Sequence, residues 1–256
     1  MEKYGVALAL SSGGARGLAH IGVLKVLERH RIPIVAIAGS SMGGVIGALY
    51  STGYSGEMIH DIARRIKRSH WMDFSLSKMG ILAGKKLEAL IELYTQGKTF
   101  ADCKPPLQLV AADIELGAEV VLNTGSLARA VRATSSIPGV FSPVVIDNRT
   151  LVDGGIVNRV PVSVLPQVPH NVTVAVDVGV TLTPRVHSLF DVLFQSFDIM
   201  ARELSRYQPV EADVVIKPKV DFSRESHAYH VDAIVQAGED ACEAAISHII
   251  ELLGER

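Results

Sequence analysis

Two short apolar runs dictate most of what this chain can become. Residues 4–10 (YGVALAL) and 32–38 (IPIVAIA) are each long enough for one buried strand, and each ends in small, turn-forming residues. Ser11-Ser12-Gly13-Gly14 follows the first run and Gly39-Ser40-Ser41-Met42-Gly43-Gly44 the second. Between them Leu18, Ile21, Leu24 and Leu27 recur at three-residue steps, with Lys25, Glu28 and Arg29 on the other side, the stripe of a helix packed on a sheet. A small, apolar series at 45–50 follows the second cluster and is closed by Gly53. The order strand, glycine loop, helix, strand, sharp turn, helix calls for a parallel sheet covered by helices.

The pattern changes between 54 and 100, where helices are predicted over 56–69 and 84–96 with a stretch rich in Met and aromatic residues between them. The β signal resumes at 107–112 and 119–122, joined by the turn Glu115-Leu116-Gly117, and 126–135 reads as a helix stopped before Pro138. A short strand at 150–152 ends at Asp153-Gly154-Gly155. Strands at 172–178 and 212–217 are separated by a helix near 189–207, and a long helix over 231–253 closes the chain. Its stripe of Ile234, Ala237, Ala241, Ala245, Ile249 and Leu252 is most simply core packing. With no internal repeat, low-complexity tract or linker, one continuous α/β domain is expected over 1–256.

Composition narrows the function classes. A net charge of −2 lacks the basic surplus that grips phosphate backbones, so no nucleic-acid partner is expected. Hydrophobic residues at 48% and charged residues at 20% describe a chain of 256 residues that folds around a sizeable core. The two cysteines, Cys103 and Cys242, supply neither a disulfide framework nor a zinc-thiolate site, which fits a reducing, cytoplasmic setting. The first apolar run is too short for a signal peptide, and no apolar stretch is long enough to span a bilayer.

Gly39-Ser40-Ser41-Met42-Gly43 matches G-x-S-x-G in the required context, after a buried strand and before a small-residue helix. Small residues at both ends of the turn let the backbone bend tightly, holding the Ser41 hydroxyl at a helix amino terminus. Ser40 also carries a hydroxyl, but the glycine spacing centres on Ser41. Such a nucleophile needs oxyanion donors and a base. The loop Ser12-Gly13-Gly14-Ala15-Arg16-Gly17 leaves the end of the neighbouring strand, and its Gly13 and Gly14 amides are candidate donors, each worth roughly 2.7–4 kcal/mol. Read instead as a dinucleotide loop, it has Ser12 where a glycine is needed, and the second strand does not end in the acidic residue that would bind a ribose. Two bases compete. His227 or His230 would follow the last strand in α/β-hydrolase order, whereas Asp153 ends a short strand before two glycines and would act directly. Asp113 and Asp177, also at strand ends, lack such a glycine pair.

SGGARGLAHIGVL at 12–24, GSSMGG at 39–44, LARAVRATSSIPGVFSPV at 127–144 and DGGIVNRVPV at 153–162 together resemble the patatin-like phospholipases. The resemblance covers residues 6–167 as a motif-bearing core, leaving 168–256 as a carboxyl-terminal α/β extension. It implies a three-layer α/β/α fold with a mainly parallel central sheet. It also implies Ser41 as nucleophile, Asp153 as proton acceptor without a histidine, and Gly13 and Gly14 in the oxyanion loop, with Gly17, Gly39, Gly43, Gly154 and Gly155 supporting the motifs. Ser12 stands where the family usually has the first of three glycines.

The expected chemistry is hydrolysis of lipid esters through an acyl-enzyme, without metal or cofactor. His227 and His230 have no evident third ligand. Other readings of such a chain are a lipid transacylase, or a regulatory or lipid-binding protein that keeps the fold with little activity. Arg16 suits a phospholipid phosphate or, equally, a salt bridge that fixes the loop, and His20 reads as a hydrogen-bonded structural residue. Residues 54–100 combine Arg64, Arg65, Lys67 and Arg68 with Trp71, Met72 and Phe74, which reads either as a lid touching an anionic membrane surface or as a helix pair packed on the sheet. Peripheral contact with the inner membrane face is the corresponding expectation, and the oligomeric state is left open.

Overall fold

The computed structural model describes residues 5–74, 79–179, 186, 189–207, 210–220 and 231–254. The opening apolar runs become β1 (Val6–Leu10) and β2 (Ile34–Ser40), with α1 (Ala19–Arg29) between them and α2 (Met42–Ser51) leaving the turn after β2. Next come α3 (Gly56–Arg65), α4 (Arg68–Trp71), β3 (Gly80–Leu82), α5 (Lys85–Thr95), β4 (Leu107–Asp113), β5 (Ala118–Leu122) and α6 (Leu127–Thr134). The rest comprises β6 (Gly139–Phe141), β7 (Val144–Ile146), β8 (Arg149–Asp153), β9 (Val172–Val176), α7 (Leu189–Tyr207), β10 (Val214–Ile216) and α8 (Val231–Gly254).

The main sheet has the order β10-β9-β1-β2-β4-β8-β7. Its first five strands run parallel, while β8 and β5 pair with β4 antiparallel and β7 pairs with β8 antiparallel. The two strands of the carboxyl-terminal extension, β9 and β10, continue this sheet beyond β1. A separate pair, β3 and β6, is parallel. The fold is therefore the α/β arrangement the resemblance implies, with a mainly parallel central sheet and flanking helices.

Alternation along the strands separates two faces. Val6, Leu8, Leu10, Ile37, Leu109 and Val174 meet apolar residues of α1, α2, α6 and α8 in the main core. The opposite face is nearly all alanine (Ala7, Ala9, Ala36, Ala38, Ala175), and Val160, Val162 and Leu165 cover it. Small side chains on that face let an irregular segment lie close to the sheet. On the helical side α8 crosses α1 at Gly22 and Gly238. A methyl at Gly22 would lie 2.0 Å from the Val235 carbonyl oxygen, and one at Gly238 2.0 Å from that of Ala19.

One local expectation changes, and three short strands had no signal in the sequence. The helix predicted over 56–69 breaks at Ile66, whose backbone is extended. Beyond the break Trp71 reaches Phe141, with ring centroids 6.2 Å apart, so packing on the small second sheet overrides helical continuity. Strands β3, β6 and β7 have three residues each, too few for a periodic signal.

Register brings the motifs to one edge. Leu10 pairs with Gly39, Ser40 with Val110, and Ala111 with Asp153. The glycine loop after β1, the turn after β2 and the end of β8 thus meet at the same level of the sheet.

Candidate active site

Ser41 occupies a strained turn, with φ 51° and ψ −121°, at the amino cap of α2. Such a conformation costs on the order of 1–3 kcal/mol and persists only where its surroundings enforce it. The enforcement is visible in the flanking glycines. A methyl on Gly39 would lie 2.7 Å from the Gly43 carbonyl oxygen, and one on Gly43 2.2 Å from that of Leu10. Gly17 is pressed against Met42, where a methyl would come within 2.5 Å of Cγ. The Ser41 amide donates to Thr134 Oγ1 at 2.9 Å, and the Thr134 hydroxyl donates in turn to the Val110 carbonyl. Thr134 escaped the reading of the sequence as a site residue, although it lies inside the 127–144 segment.

The Ser41 hydroxyl donates to Asp153 Oδ2 at 2.6 Å across 112 residues of chain. The other carboxylate oxygen accepts the Gly155 amide at 2.8 Å. Ser41 and Asp153 are 6% and 5% exposed. Burial pushes the Asp153 carboxyl up to about 6, although the hydrogen bonds from Ser41 and Gly155 favour its ionised form. The glycines after Asp153 permit close approaches. A methyl on Gly154 would meet the Val110 carbonyl oxygen at 2.1 Å, and one on Gly155 would meet Ser12 Oγ at 2.6 Å.

In the glycine loop Gly13 is extended, while Gly14, at φ 53°, takes the left-handed conformation that glycine tolerates. A 3-10 turn over Gly14–Leu18 follows. Arg16 donates through Nη2 to Asp198 of α7 at 2.7 Å, so the structure displays the salt-bridge alternative for this residue. Asp198 carried no motif and stood out only as a polar position on an amphipathic helix. Arg159 braces the start of the loop: its carbonyl accepts the Ser12 amide at 2.9 Å, and its guanidinium donates to Asp177 Oδ1 at 2.8 Å. Buried His20 contacts the Ser11 carbonyl through Nε2 at 2.8 Å, and burial lowers its pKa to about 4, so the ring is neutral and Nε2 donates.

The competing acids have structural work. Asp177 pairs with Arg159, and Asp113 accepts the Glu115 and Leu116 amides in the turn between β4 and β5. His227 and His230 lie outside the described residues. Among the described residues no three His, Cys, Asp or Glu side chains are grouped to hold a metal ion, and no helix is long and apolar enough to cross a membrane. In the 54–100 stretch, α3 packs on α1 and α8, and Trp71, Met72 and Leu87 cluster with Leu82, Phe141 and Leu193 of α7. Arg65, Lys67, Arg68 and Phe74 are exposed.

A strand-turn-helix serine bonded to a buried aspartate thus lies beside a glycine loop at one edge of a mainly parallel sheet. Residues 8–166 match the family model Patatin-like phospholipase, and the chain belongs to that family. An uncharacterized NTE family protein of Mycobacterium tuberculosis is 38% identical over 176 residues, covering 68% of this chain and 49% of the relative. Human patatin-like phospholipase domain-containing protein 6 is 34% identical over 182 residues, 68% of this chain and 13% of that protein. The chain thus spans about half the length of the mycobacterial relative. Among solved structures, VipD from Legionella pneumophila superimposes with a TM-score of 0.65 at 13% identity, over 100% of this chain and 67% of its own. The type III effector protein ExoU does so with a TM-score of 0.53 at 13% identity, over 96% and 53%. At such identities the structures speak for the fold alone.

Proposed function

We propose that this chain is a serine lipid acyl hydrolase of phospholipase A, lysophospholipase or esterase type, working through a Ser41–Asp153 dyad. The observation that carries the reading is the 2.6 Å hydrogen bond from Ser41 to a buried aspartate. As Ser41 Oγ bonds to the ester carbonyl carbon, Asp153 takes its proton and the carbonyl π pair moves onto oxygen. The Gly13 and Gly14 amides stabilise that oxyanion. Collapse of the tetrahedral intermediate breaks the bond to the alcohol oxygen, which leaves with the proton from Asp153. Water then attacks the acyl-enzyme, giving a proton to Asp153, and the second tetrahedral intermediate breaks its bond to Ser41 Oγ, which takes that proton back from Asp153 as the carboxylic acid leaves. A carboxylate is far weaker as a base than serine alkoxide, so proton transfer accompanies attack and does not precede it. Much of the rate acceleration therefore falls on the loop amides and on the amino end of α2.

Fluorophosphonate labelling and p-nitrophenyl ester hydrolysis test this directly. Both signals are expected in the wild type, lost in Ser41→Ala and Asp153→Asn, and retained in His227→Ala/His230→Ala. Loss in the histidine variant alone would move the base to a histidine, and a silent wild type would overturn the hydrolase reading in favour of a regulatory or lipid-binding role. Delivery of the substrate is assigned to peripheral contact with an anionic membrane through Arg64, Arg65, Lys67 and Arg68 beside the exposed Phe74. Sedimentation with anionic vesicles is expected to fall when these cations are neutralised. Unchanged binding would remove that part of the proposal.

A further inference from the structure

The backbone amides of Ser41 and Asp153 are both held by one short segment at the end of α6. Thr134, the last residue of that helix, accepts the Ser41 amide through Oγ1 at 2.9 Å, and two residues later the Ser136 carbonyl accepts the Asp153 amide at 2.9 Å. Thr134 and Ser136 are fully buried. The hydroxyl proton of Thr134 goes to the carbonyl of Val110. Val110 pairs with Ser40 of β2, and Ala111, next along β4, pairs with Asp153 of β8, so Thr134 sits where the two strands that carry the dyad meet β4. Its orientation is restricted by β-branching and by Gly44, where an added Cβ would come within 2.9 Å of Thr134 Cγ2. Arg132 anchors the segment from behind. Its Nη1 donates to Ser136 Oγ at 2.5 Å, and that hydroxyl donates to the Arg132 carbonyl at 2.8 Å. Its Nη2 reaches the Ala83 carbonyl at 2.9 Å and the Ser142 carbonyl at 2.6 Å, and Nε reaches the Gly84 carbonyl at 3.0 Å. Moving this guanidinium, which is 2% exposed, would leave buried donors unpaired, so the anchor is stiff.

We infer that Thr134 is a positioning residue for the dyad, fixing the placement of Ser41 while Ser136, anchored by Arg132, fixes that of Asp153. The inference rests on the acyl-hydrolase reading of Ser41 and Asp153. The flanking glycines permit the turn at Ser41, but its strained backbone, at φ 51°, needs a partner that selects one placement within it, and the bond from its amide to Thr134 supplies one. Because the same segment holds the Asp153 amide, nucleophile and base are set against a single reference, and the separation between them is insensitive to small movements of the strands. The Ser41 amide, engaged by Thr134, is also withdrawn from the donors that could meet an oxyanion, which leaves that work to the glycine loop.

The test compares Thr134→Val, which keeps the shape and removes the hydroxyl, with Thr134→Ser, which keeps the hydroxyl. Nonbonded carbon contacts settle at about 3.5–4 Å, so a methyl in place of Oγ1 cannot stay 2.9 Å from the Ser41 nitrogen and the turn must shift. With p-nitrophenyl butyrate, kcat of Thr134→Val is expected to fall on the order of 10²-fold, the cost of misplacement by about 1 Å, while KM stays within about twofold. The pH midpoint of kcat/KM, near about 6 in the wild type, should move up in this variant, because Asp153 loses the Ser41 hydrogen bond that favours its ionised form. Thr134→Ser should bring kcat back to within about fivefold of wild type and return the midpoint. A residue that only stabilised the fold would lower the melting temperature and leave kcat per folded molecule and the pH midpoint where they are, and that result in Thr134→Val overturns the inference. A crystal structure of the variant decides the matter without turnover, and does so even if the wild type hydrolyses no ester. Separation of Ser41 Oγ from Asp153 Oδ2 beyond hydrogen-bonding distance supports the inference, whereas a retained 2.6 Å contact overturns it and leaves the dyad reading intact. Where Thr134→Val does not fold, Ser136→Ala, which releases the segment from Arg132, takes its place in both measurements, with a fall in kcat of about fivefold expected at unchanged KM and wild-type kcat counting against the inference.

Discussion

Two acids embedded in this molecule have opposite surroundings. Glu239 of α8 sits where α1 and α8 meet, receiving Lys25 at 2.7 Å and Arg29 at 2.8 Å. Burial raises its pKa, but hydrogen bonds from the two cations outweigh that effect and hold the carboxyl below its ordinary value. Asp153 has a serine hydroxyl and one amide as partners, and among the described residues no cation pairs with it, so burial wins and the carboxyl rises to about 6. The helical face thus neutralises its charges in pairs, with Arg29 also reaching Glu243 and Arg64 reaching Asp232. The edge that holds Ser41 leaves one carboxylate without an ion partner among the described residues, and the higher basicity that results is what the proposed role of Asp153 requires.

The largest effect that would test this contrast is catalytic. Ser41→Ala is expected to lower kcat for ester hydrolysis roughly 10⁴-fold or more without changing the melting temperature by more than a few degrees. Asp153→Asn is expected to cost roughly 10³-fold or more in kcat, with wild-type kcat/KM rising with pH through about 6 as Asp153 ionises. It should also stabilise the fold. With a folded-state pKa of about 6 against an ordinary 3.8, the native state binds more protons than the unfolded state between those values, so stability falls as pH rises through them. Removing the charge should recover up to about 3 kcal/mol at pH 8 and little at pH 4, as read by urea denaturation at both pH values. A variant destabilised at pH 8 would show that Asp153 is held by its surroundings as Glu239 is.

The next effect is steric. Gly43→Ala places a methyl 2.2 Å from the Leu10 carbonyl oxygen and should cost about 1–3 kcal/mol of stability, together with activity, since the turn at Ser41 must shift. The smallest lies on the helical face. Glu239→Gln should cost about 1 kcal/mol at pH 7, because these charges are partly solvated. A carboxyl whose folded pKa lies below the unfolded value stabilises fully above the unfolded value, so this loss should shrink as the pH falls below the ordinary 4.5 and vanish once it has passed the lower folded value.

Much of the catalytic edge was legible because its signals are local. The apolar runs specify buried strands, and the glycines at 39, 43, 154 and 155 mark places where no side chain fits, which can be read from spacing without coordinates. Thr134 and Asp198 were not legible as partners of Ser41 and Arg16, because each acts across a long sequence separation through one hydrogen bond or ion pair. Arg16 illustrates the limit: phosphate binding and ion pairing require the same guanidinium, and its ion pair with Asp198 of α7 becomes visible only once the chain is folded. The break at Ile66 was invisible for a similar reason, since the helical pattern is intact and Trp71 is drawn away by Phe141, a residue far along the chain.

The sequence by itself determined a parallel α/β sheet, a tight serine turn, a glycine loop and an aspartate followed by two glycines. These follow from backbone sterics and hydrophobic periodicity, which act over a few residues. Tertiary structure alone decided that Asp153 lies at hydrogen-bonding distance from Ser41, that burial without an ion partner raises its pKa, and that α7 brings Asp198 to Arg16 of the glycine loop. Those outcomes depend on strand register and on solvent exclusion, and both arise only when distant segments pack together.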